Sequence, residues 1–223
     1  MTTINKKTLP YDDLCKKIKI INDCIHGSID LTYFSIQIID TPFFQRLGQL
    51  SQLGTCSWVY RDAKHTRFSH SVGTYHLAGM VLTSILTSLD QKLTDEYMSK
   101  IPELTKYYSK MYHNKIHPID KYICELIKIS ALCHDIGHGP FSHVFDDYFL
   151  PSLGKQNDYC ATHEERSGVI LEMIIKESIK VSFSTLSLIY LNKAEKILDV
   201  KKRYPHTTII SKNLRIILQI QVK

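Results

Sequence analysis

No two of the six cysteines (Cys15, Cys24, Cys56, Cys124, Cys133 and Cys160) stand at C-x-x-C spacing. That argues against a thiolate zinc site and fits reduced thiols inside a cell. No apolar run approaches the roughly 20 residues that a membrane-crossing helix needs, and Met1 to Pro10 is polar where a signal peptide would be apolar. These absences predict a soluble, intracellular protein with no membrane partner. There is no internal repeat and no low-complexity tract. Strand-like segments never alternate regularly with helical ones, which speaks against a parallel sheet and for a mainly α fold.

What is present is ordinary globular composition. Apolar residues make up 43% and charged residues 22% of 223, enough for one domain with a sizeable core, or one domain and a tail. Twenty-eight Lys and Arg oppose 22 acidic groups, a net charge of +6, and no single block holds the basic residues. Such a balance suits a polyanionic small ligand or weak nucleic-acid contact equally well, so it does not choose between them.

Residues 1–18 read as a polar leader, 19–180 as the domain and 181–223 as a tail. Lys19 to Gly27 reads as a short extended piece closing in a His-Gly turn. Between Phe34 and Leu53, apolar groups at helical spacing break at Thr41-Pro42, predicting two short helices with Asp40 or Thr41 as the second cap. Gly54 to Val59 reads as a turn with one strand-like patch, and Arg61 to Ser71 as a polar loop holding His65, Arg67 and His70. Gly73 to Leu89 is a strong helix whose face Leu77, Met80, Val81, Ile85 and Leu89 is expected in the core. Residues 90–118, charged and Tyr-rich, read as an insertion or loose linker whose tyrosines have no evident role. Asp120 to His134 is a largely apolar helix, and Phe141 to Leu150 a short one. Thr162 and Glu165 form a capping box that opens another. Phe183 to Leu198 reads as helical, and Thr207 to Val222 as a strand or a frayed helix.

The densest chemistry lies in Leu132-Cys133-His134-Asp135-Ile136-Gly137-His138-Gly139-Pro140-Phe141-Ser142-His143. His134 and Asp135 diverge by about 100° on a helix and can both reach an ion over its end. His138 follows one turn later, and Gly137 with Gly139-Pro140 ends the helix and lets His138 and His143 turn back. Imidazole and carboxylate are ligands that zinc, iron and manganese share, so the segment reads as a divalent-metal site. The H-x-x-x-H spacing also occurs in zincin proteases, but the Glu base after the first His is absent. His76 reads as a partly buried structural histidine, His113, His117 and His206 as solvent-facing, and Trp58 with Tyr60 as a packing pair.

With His70 preceding His134-Asp135, the chain resembles the HD superfamily of metal-dependent phosphohydrolases. It resembles in particular the deoxynucleoside triphosphate triphosphohydrolases, of the type whose HD domain elsewhere accompanies a SAM domain. The residues that carry the resemblance are Asn22-Asp23, Ile25-His26-Gly27, Ile38 to Pro42, Phe44 to Leu47, Gln52-Leu53-Gly54, His65 to Gly73, Leu77-Ala78-Gly79, Leu132 to His143 and Thr162-His163-Glu164.

The resemblance implies an HD-domain helical bundle that hydrolyses a dNTP, dGTP included, to deoxynucleoside and triphosphate. By matched position it implies His70, His134 and Asp135 as ligands of a divalent ion (Fe, Zn, Mn or Mg). Arg67 becomes a phosphate clamp, and Gln52 with Leu53 the wall against the sugar. His138, His143 and His163 become catalytic histidines, with Glu164 as orienting partner of His163. Lys19, Asn22, Asp40 and Gln45 match a regulatory nucleotide pocket that in the family accompanies homo-oligomer formation. Gly48 and Ser28 stand where that pocket has an arginine and a histidine. The family completes its metal site with a late aspartate, and Asp199 is the late acidic candidate, in a context that does not match. Two other readings follow: a catalytically weak nucleotide-binding HD protein, or an HD nuclease or guanosine-polyphosphate hydrolase.

Overall fold

The structure, a computed structural model, describes residues 11–178; the segments read above as helix 183–198 and strand or helix 207–222, together with His206 and Asp199, lie outside them. The fold is mainly α with one small antiparallel hairpin. A single turn, α1 (Tyr11–Leu14), puts Leu14 into the core from within the polar leader. Strands β1 (Lys17–Asp23) and β2 (Gly27–Thr32) then pair with Ile21 opposite Ile29. The hairpin turns because Asp23 accepts from the amides of Ile25 and His26 and Gly27 takes φ +70°, a conformation glycine adopts without strain.

The two short helices between residues 34 and 53 form as the spacing indicates. They are α2 (Tyr33–Ile39) and α3 (Pro42–Gln45), and Thr41, not Asp40, caps the second by accepting from the Phe44 amide. A 3-10 turn, Arg46–Gln49, follows. The strand-like patch of 54–59 is instead a 3-10 turn at Cys56–Trp58. Trp58 and Tyr60 are exposed there, so they are not a packing pair.

Helix α4 (Arg67–Thr87) starts six residues before the expected Gly73, because Thr66 caps it from the loop by accepting from the Ser69 amide. Its orientation also differs from expectation. Val72, Tyr75 and Leu82 are buried, whereas Leu77, Met80, Val81 and Ile85 face outward. Apolar residues circle this helix, so spacing could not choose the face. Small residues did: Gly73 lies 3.2 Å, measured from an added Cβ, from the ring of His26.

Residues 90–118 form α5 (Gln91–Met98) and α6 (Thr105–Tyr112). The tyrosines have a role that spacing did not reveal. Tyr107 and Tyr112 donate to the Asp120 carboxylate and Tyr108 donates to the Pro118 carbonyl. The other Asp120 oxygen caps α7 (Lys121–Cys133), so the cluster ties α6 to the start of α7. His117 is likewise not solvent-facing, since its ring meets Asp95 at 2.9 Å.

Helix α7 runs antiparallel to α4. Thr74 donates to the Ala131 carbonyl, Gly79 lies against Lys128, and Tyr75 donates to Glu125. A π-helical turn (Phe145–Phe149), the short α8 (Leu150–Ser152) and α9 (His163–Ser178) complete the described chain. The capping box is present: the Glu165 amide donates to Thr162 Oγ1 and the Thr162 amide to the Glu165 carboxylate. Leu171, Ile174 and Ile175 of α9 enter the core.

Glu125, 3% exposed, binds three elements at once: the Thr32 hydroxyl at 2.6 Å, the Tyr75 hydroxyl at 2.9 Å and the Lys128 ammonium at 2.9 Å. Removing one partner of a buried, hydrogen-bonded ion pair leaves its mates unsatisfied. Glu125→Ala is therefore expected to lower unfolding free energy by about 3 kcal/mol, read as an earlier urea midpoint at unchanged slope.

Candidate metal centre and active site

The site forms where α7 stops. His134 caps the helix, and the chain then turns sharply through Asp135 to Gly139, earlier than Gly137 as sequence suggested. A helix end frees carbonyls and amides that must find partners. Arg46 donates to the carbonyls of Ile136 and His138, and Arg166 Nε to that of Gly137. Ser167 accepts from the Gly137 amide and donates to the His134 carbonyl, both at 2.9 Å. Gly137 is required by the close approach of α9, because a Cβ there would overlap the His163 carbonyl oxygen and the Ser167 amide.

The first turn of α4 comes to the same place. Residues 50–52 pair with 65–67 through Arg67 N to Leu50 O and Gln52 N to His65 O, which fixes Arg67 and Gln52 together. His70 and His134 bring their Nε2 atoms to 3.3 Å. Asp135 offers one oxygen 3.3 Å from His70 Nε2 and the other 3.2 Å from His134 Nε2. Arg67, 1% exposed, donates to Asp135. The expected metal residues thus converge on one point with the clamp arginine against them.

This donor set fits a divalent ion. Ligands about 2.05 Å from zinc in a tetrahedron stand about 3.3 Å apart; the two imidazole nitrogens stand at that spacing, and each has one Asp135 oxygen within 3.3 Å. His134 Nδ1 lies 2.7 Å from the Ala131 carbonyl, so the proton belongs on Nδ1 and the lone pair on Nε2, facing the other donors. Among the described residues the cluster has three protein donors.

A second cluster adjoins the first. His138 Nε2 is 3.6 Å from Asp135, and the His138 ring stacks on His163 at 3.8 Å with His143 edge-on at 5.0 Å. Both nitrogens of His138 are buried without a hydrogen-bond partner among the described residues. These three imidazoles also have metal-ligating proximity, yet stacking sets two of them face to face instead of around a centre. The group nearest His163 Nδ1 is Asp146, at 2.8 Å, with Glu164 at 3.7 Å. Asp146 is held in turn by Arg166 and by the His163 amide. Sequence reading passed over Asp146 and Arg166. Their spacing, three residues past His143 and His163, was the available signal.

The sugar-wall candidates differ in exposure. Gln52 Oε1 is buried and unpartnered, whereas Leu53 is 48% exposed. The Ser142 hydroxyl donates to the carbonyls of Ser51 and Gln52, holding this loop beside the one that carries His143. Phe141 and Ser142 pay for that approach with φ near +60°. Of the regulatory candidates, Lys19 and Asp40 meet at 3.7 Å on the surface. Gln45 donates to Ile39 O, and Asn22 accepts from Ser28 within the hairpin.

Charges in this pocket are strongly coupled. Burial would raise the Asp135 carboxyl, but hydrogen bonding from His70 and the charges of His134, Arg67 and His138 hold it far below the usual range. Burial lowers His134. Burial, then the charges of His163 and Arg67, push His138 down to about 3. For Asp146 burial is outweighed by hydrogen bonds from Arg166 and His163, which lower it.

A mainly helical body that sets a His-Asp pair at the end of one helix against a histidine one turn into another is the organisation of an HD domain. No family model matches the chain. It is 42% identical over 161 residues to an HD domain-containing protein, L394, of Acanthamoeba polyphaga mimivirus. It is 38% identical over 178 residues to the deoxynucleoside triphosphate triphosphohydrolase SAMHD1 of Homo sapiens, and 37% over 162 residues to the SAMHD1 homolog of Dictyostelium discoideum. These matches take in 72%, 78% and 73% of this chain, and 32%, 24% and 26% of the relatives. The chain thus spans about a quarter to a third of the length of the curated relatives it matches. Over the matched residues the chain is similar to an HD domain-containing protein and to proteins named as deoxynucleoside triphosphate triphosphohydrolases. Among the described residues no helix is long and apolar enough to cross a membrane.

Two outcomes follow for the metal-free protein. Gly137→Ala forces α9 off the turn and is expected to cost about 3 kcal/mol, measured by urea unfolding. The unfolded chain takes up the His138 proton near pH 6.5, whereas the folded protein does so only near 3. Stability is therefore complete above pH 6.5 and declines as pH falls through that window, with a limit of about 1.4 kcal/mol per pH unit for one proton. His138→Asn should flatten the decline between pH 6.5 and 4.5.

Proposed function

We propose that this chain is a metal-dependent phosphohydrolase that cleaves a dNTP, dGTP among them, into deoxynucleoside and inorganic triphosphate. One observation carries the reading: the Nε2 atoms of His70 and His134 stand 3.3 Å apart, each within 3.3 Å of one Asp135 oxygen, with buried Arg67 beside them. The three residues would hold the ion. The chemistry that a bound divalent ion supplies is a water acidic enough to attack phosphorus near neutral pH.

The remaining steps fall to the protein's own side chains. Asp135 and Arg67 neutralise each other in the free site. The Arg67 guanidinium would meet phosphate oxygens with two parallel donors. His138, neutral at physiological pH and without a hydrogen-bond partner among the described residues, is available to a phosphate oxygen or the attacking water. His143, the exposed member of the trio, is placed to protonate the leaving sugar oxygen. His163 keeps its Nδ1 proton toward Asp146, with Glu164 farther off, which fixes the ring's orientation. Gln52 and Leu53 would wall the sugar. Lys19, Asn22, Asp40 and Gln45 would bind an effector nucleotide, and assembly into an oligomer belongs to the same reading.

A second reading is favoured by the count of donors. With three protein ligands among the described residues, the site could hold nucleotide and ion yet turn over slowly. Chromatography of dGTP incubated with Mn²⁺ or Fe²⁺ separates the cases. Deoxyguanosine and triphosphate are expected, with His134→Ala reducing the rate by at least about a thousandfold, as for loss of a metal-activated nucleophile. Nucleotide binding without products would support the second reading. Orthophosphate, pyrophosphate or cleaved RNA would point to a different HD hydrolase, and activity surviving in His134→Ala would remove the site assignment.

A further inference from the structure

The leaving sugar is served by two segments that lie far apart in sequence. Gln52 and Leu53 belong to residues 50–54, whereas His143 follows the turn at 139–142. For His143 to protonate the sugar oxygen, the segment that walls the sugar and the segment that carries the acid must keep a fixed spacing. His143 does not fix it by itself. Its ring meets His138 and His163 edge-on at 5.0 and 5.2 Å, and among the described residues no hydrogen bond to the ring accompanies those contacts. Its place therefore follows from its backbone.

That backbone is tied on two sides. Asp146, three residues on, accepts from the His163 amide and joins the turn to α9. On the other side stands Ser142, 7% exposed, with its hydroxyl 2.8 Å from the Gln52 carbonyl oxygen and 3.1 Å from that of Ser51. One hydroxyl proton shared between two acceptors holds Ser142 against both residues. Residues 50–52 are fixed in turn to the start of α4, since the Gln52 amide donates to the His65 carbonyl at 3.0 Å and the Arg67 amide to that of Leu50 at 2.8 Å. A single side chain thus links the acid to the sugar wall and, through it, to the arginine.

The dihedral angles show what this contact requires. Phe141 and Ser142 take φ of 61° and 58°, where any residue with a β-carbon is strained and glycine is not. Glycine at 142 would relieve the strain but could not supply the hydroxyl. A strained residue held by its surroundings points to a role, and the shared hydrogen bond is what serine adds there.

We infer that Ser142 is a positioning residue for the leaving group: its hydroxyl, shared by the Ser51 and Gln52 carbonyls, sets His143 against the sugar that Gln52 walls. This role rests on the reaction proposed above, in which water adds to the phosphorus and gives up a proton, the bond from phosphorus to the sugar oxygen breaks, and His143 gives that oxygen its proton. Ser142 touches neither ion nor substrate. Its loss loosens proton delivery and leaves the His70, His134 and Asp135 cluster, carried by α4 and the end of α7, in place.

Two substrates separate proton delivery from general damage. Ser142→Ala keeps the backbone preference of the parent and removes only the oxygen. With Mn²⁺ present, its kcat for dGTP should fall about ten- to a hundredfold. Its kcat for 4-nitrophenyl triphosphate, which has no sugar and whose phenolate leaves without a proton, should fall by less than about twofold. In a His143→Ala background the same substitution is expected to slow dGTP hydrolysis no further. If the alanine variant does not fold, Ser142→Gly, which is free of the strain, gives the same comparison. Equal losses on both substrates, unchanged rates on both, or a full additional loss in His143→Ala would overturn the role while leaving the reaction standing. A parent protein that hydrolyses neither substrate would overturn the proposed reaction, and this role with it.

Discussion

A carboxylate that the fold removes from water governs this domain. Asp135 is 5% exposed, and an isolated charge in such a place would cost several kcal/mol. The surroundings supply the compensation: Arg67 and His70 from the first turn of α4, His134 from the end of α7, and His138 from the turn that follows. Each partner arrives from an element that must be correctly placed for the charge to be tolerated. The α4–α7 pairing, the strand-like contact of 50–52 with 65–67, and the anchoring of the 134–138 turn by Arg46, Arg166 and Ser167 all hold that arrangement in place.

The same compensation leaves the site with the donors that a cation can take. A neutral imidazole and an ionised carboxylate are what a divalent cation requires, and the pocket holds both in those states at neutral pH. Farther out, the hydrogen-bond chain from Arg166 through Asp146 to His163 orients one imidazole, while its stacked neighbour His138 makes no hydrogen bond with the described residues. One half of the site thus gathers donors that a divalent cation can take, and the other leaves a buried imidazole without a hydrogen bond.

Much of this could be read from the letters, for identifiable reasons. His134-Asp135 with His138 and His143 is legible because ligand-type residues at such density have few structural uses, and Thr41-Pro42 and Thr162-Glu165 because caps act over three or four residues. What escaped reading depended on distant partners. The start of α4 was hidden because its cap, Thr66, sits in a polar stretch that resembles loop. Its buried face was hidden because apolar residues surround the helix, and contacts with α7 and His26 decide which side turns inward. The tyrosines at 107, 108 and 112 gain a function only through Asp120 and Pro118, and Asp146 becomes the partner of His163 only once the π turn brings it back to the start of α9.

The claim on which the rest stands is that His70, His134 and Asp135 enclose one ion. Elemental analysis of the purified protein after incubation with Mn²⁺, Fe²⁺ or Zn²⁺ and removal of free metal tests it without any assay of turnover. The account predicts one equivalent per chain, lost in both His70→Ala and His134→Ala while each variant remains folded by circular dichroism. No bound metal in the parent protein, or full retention in both variants, would contradict it.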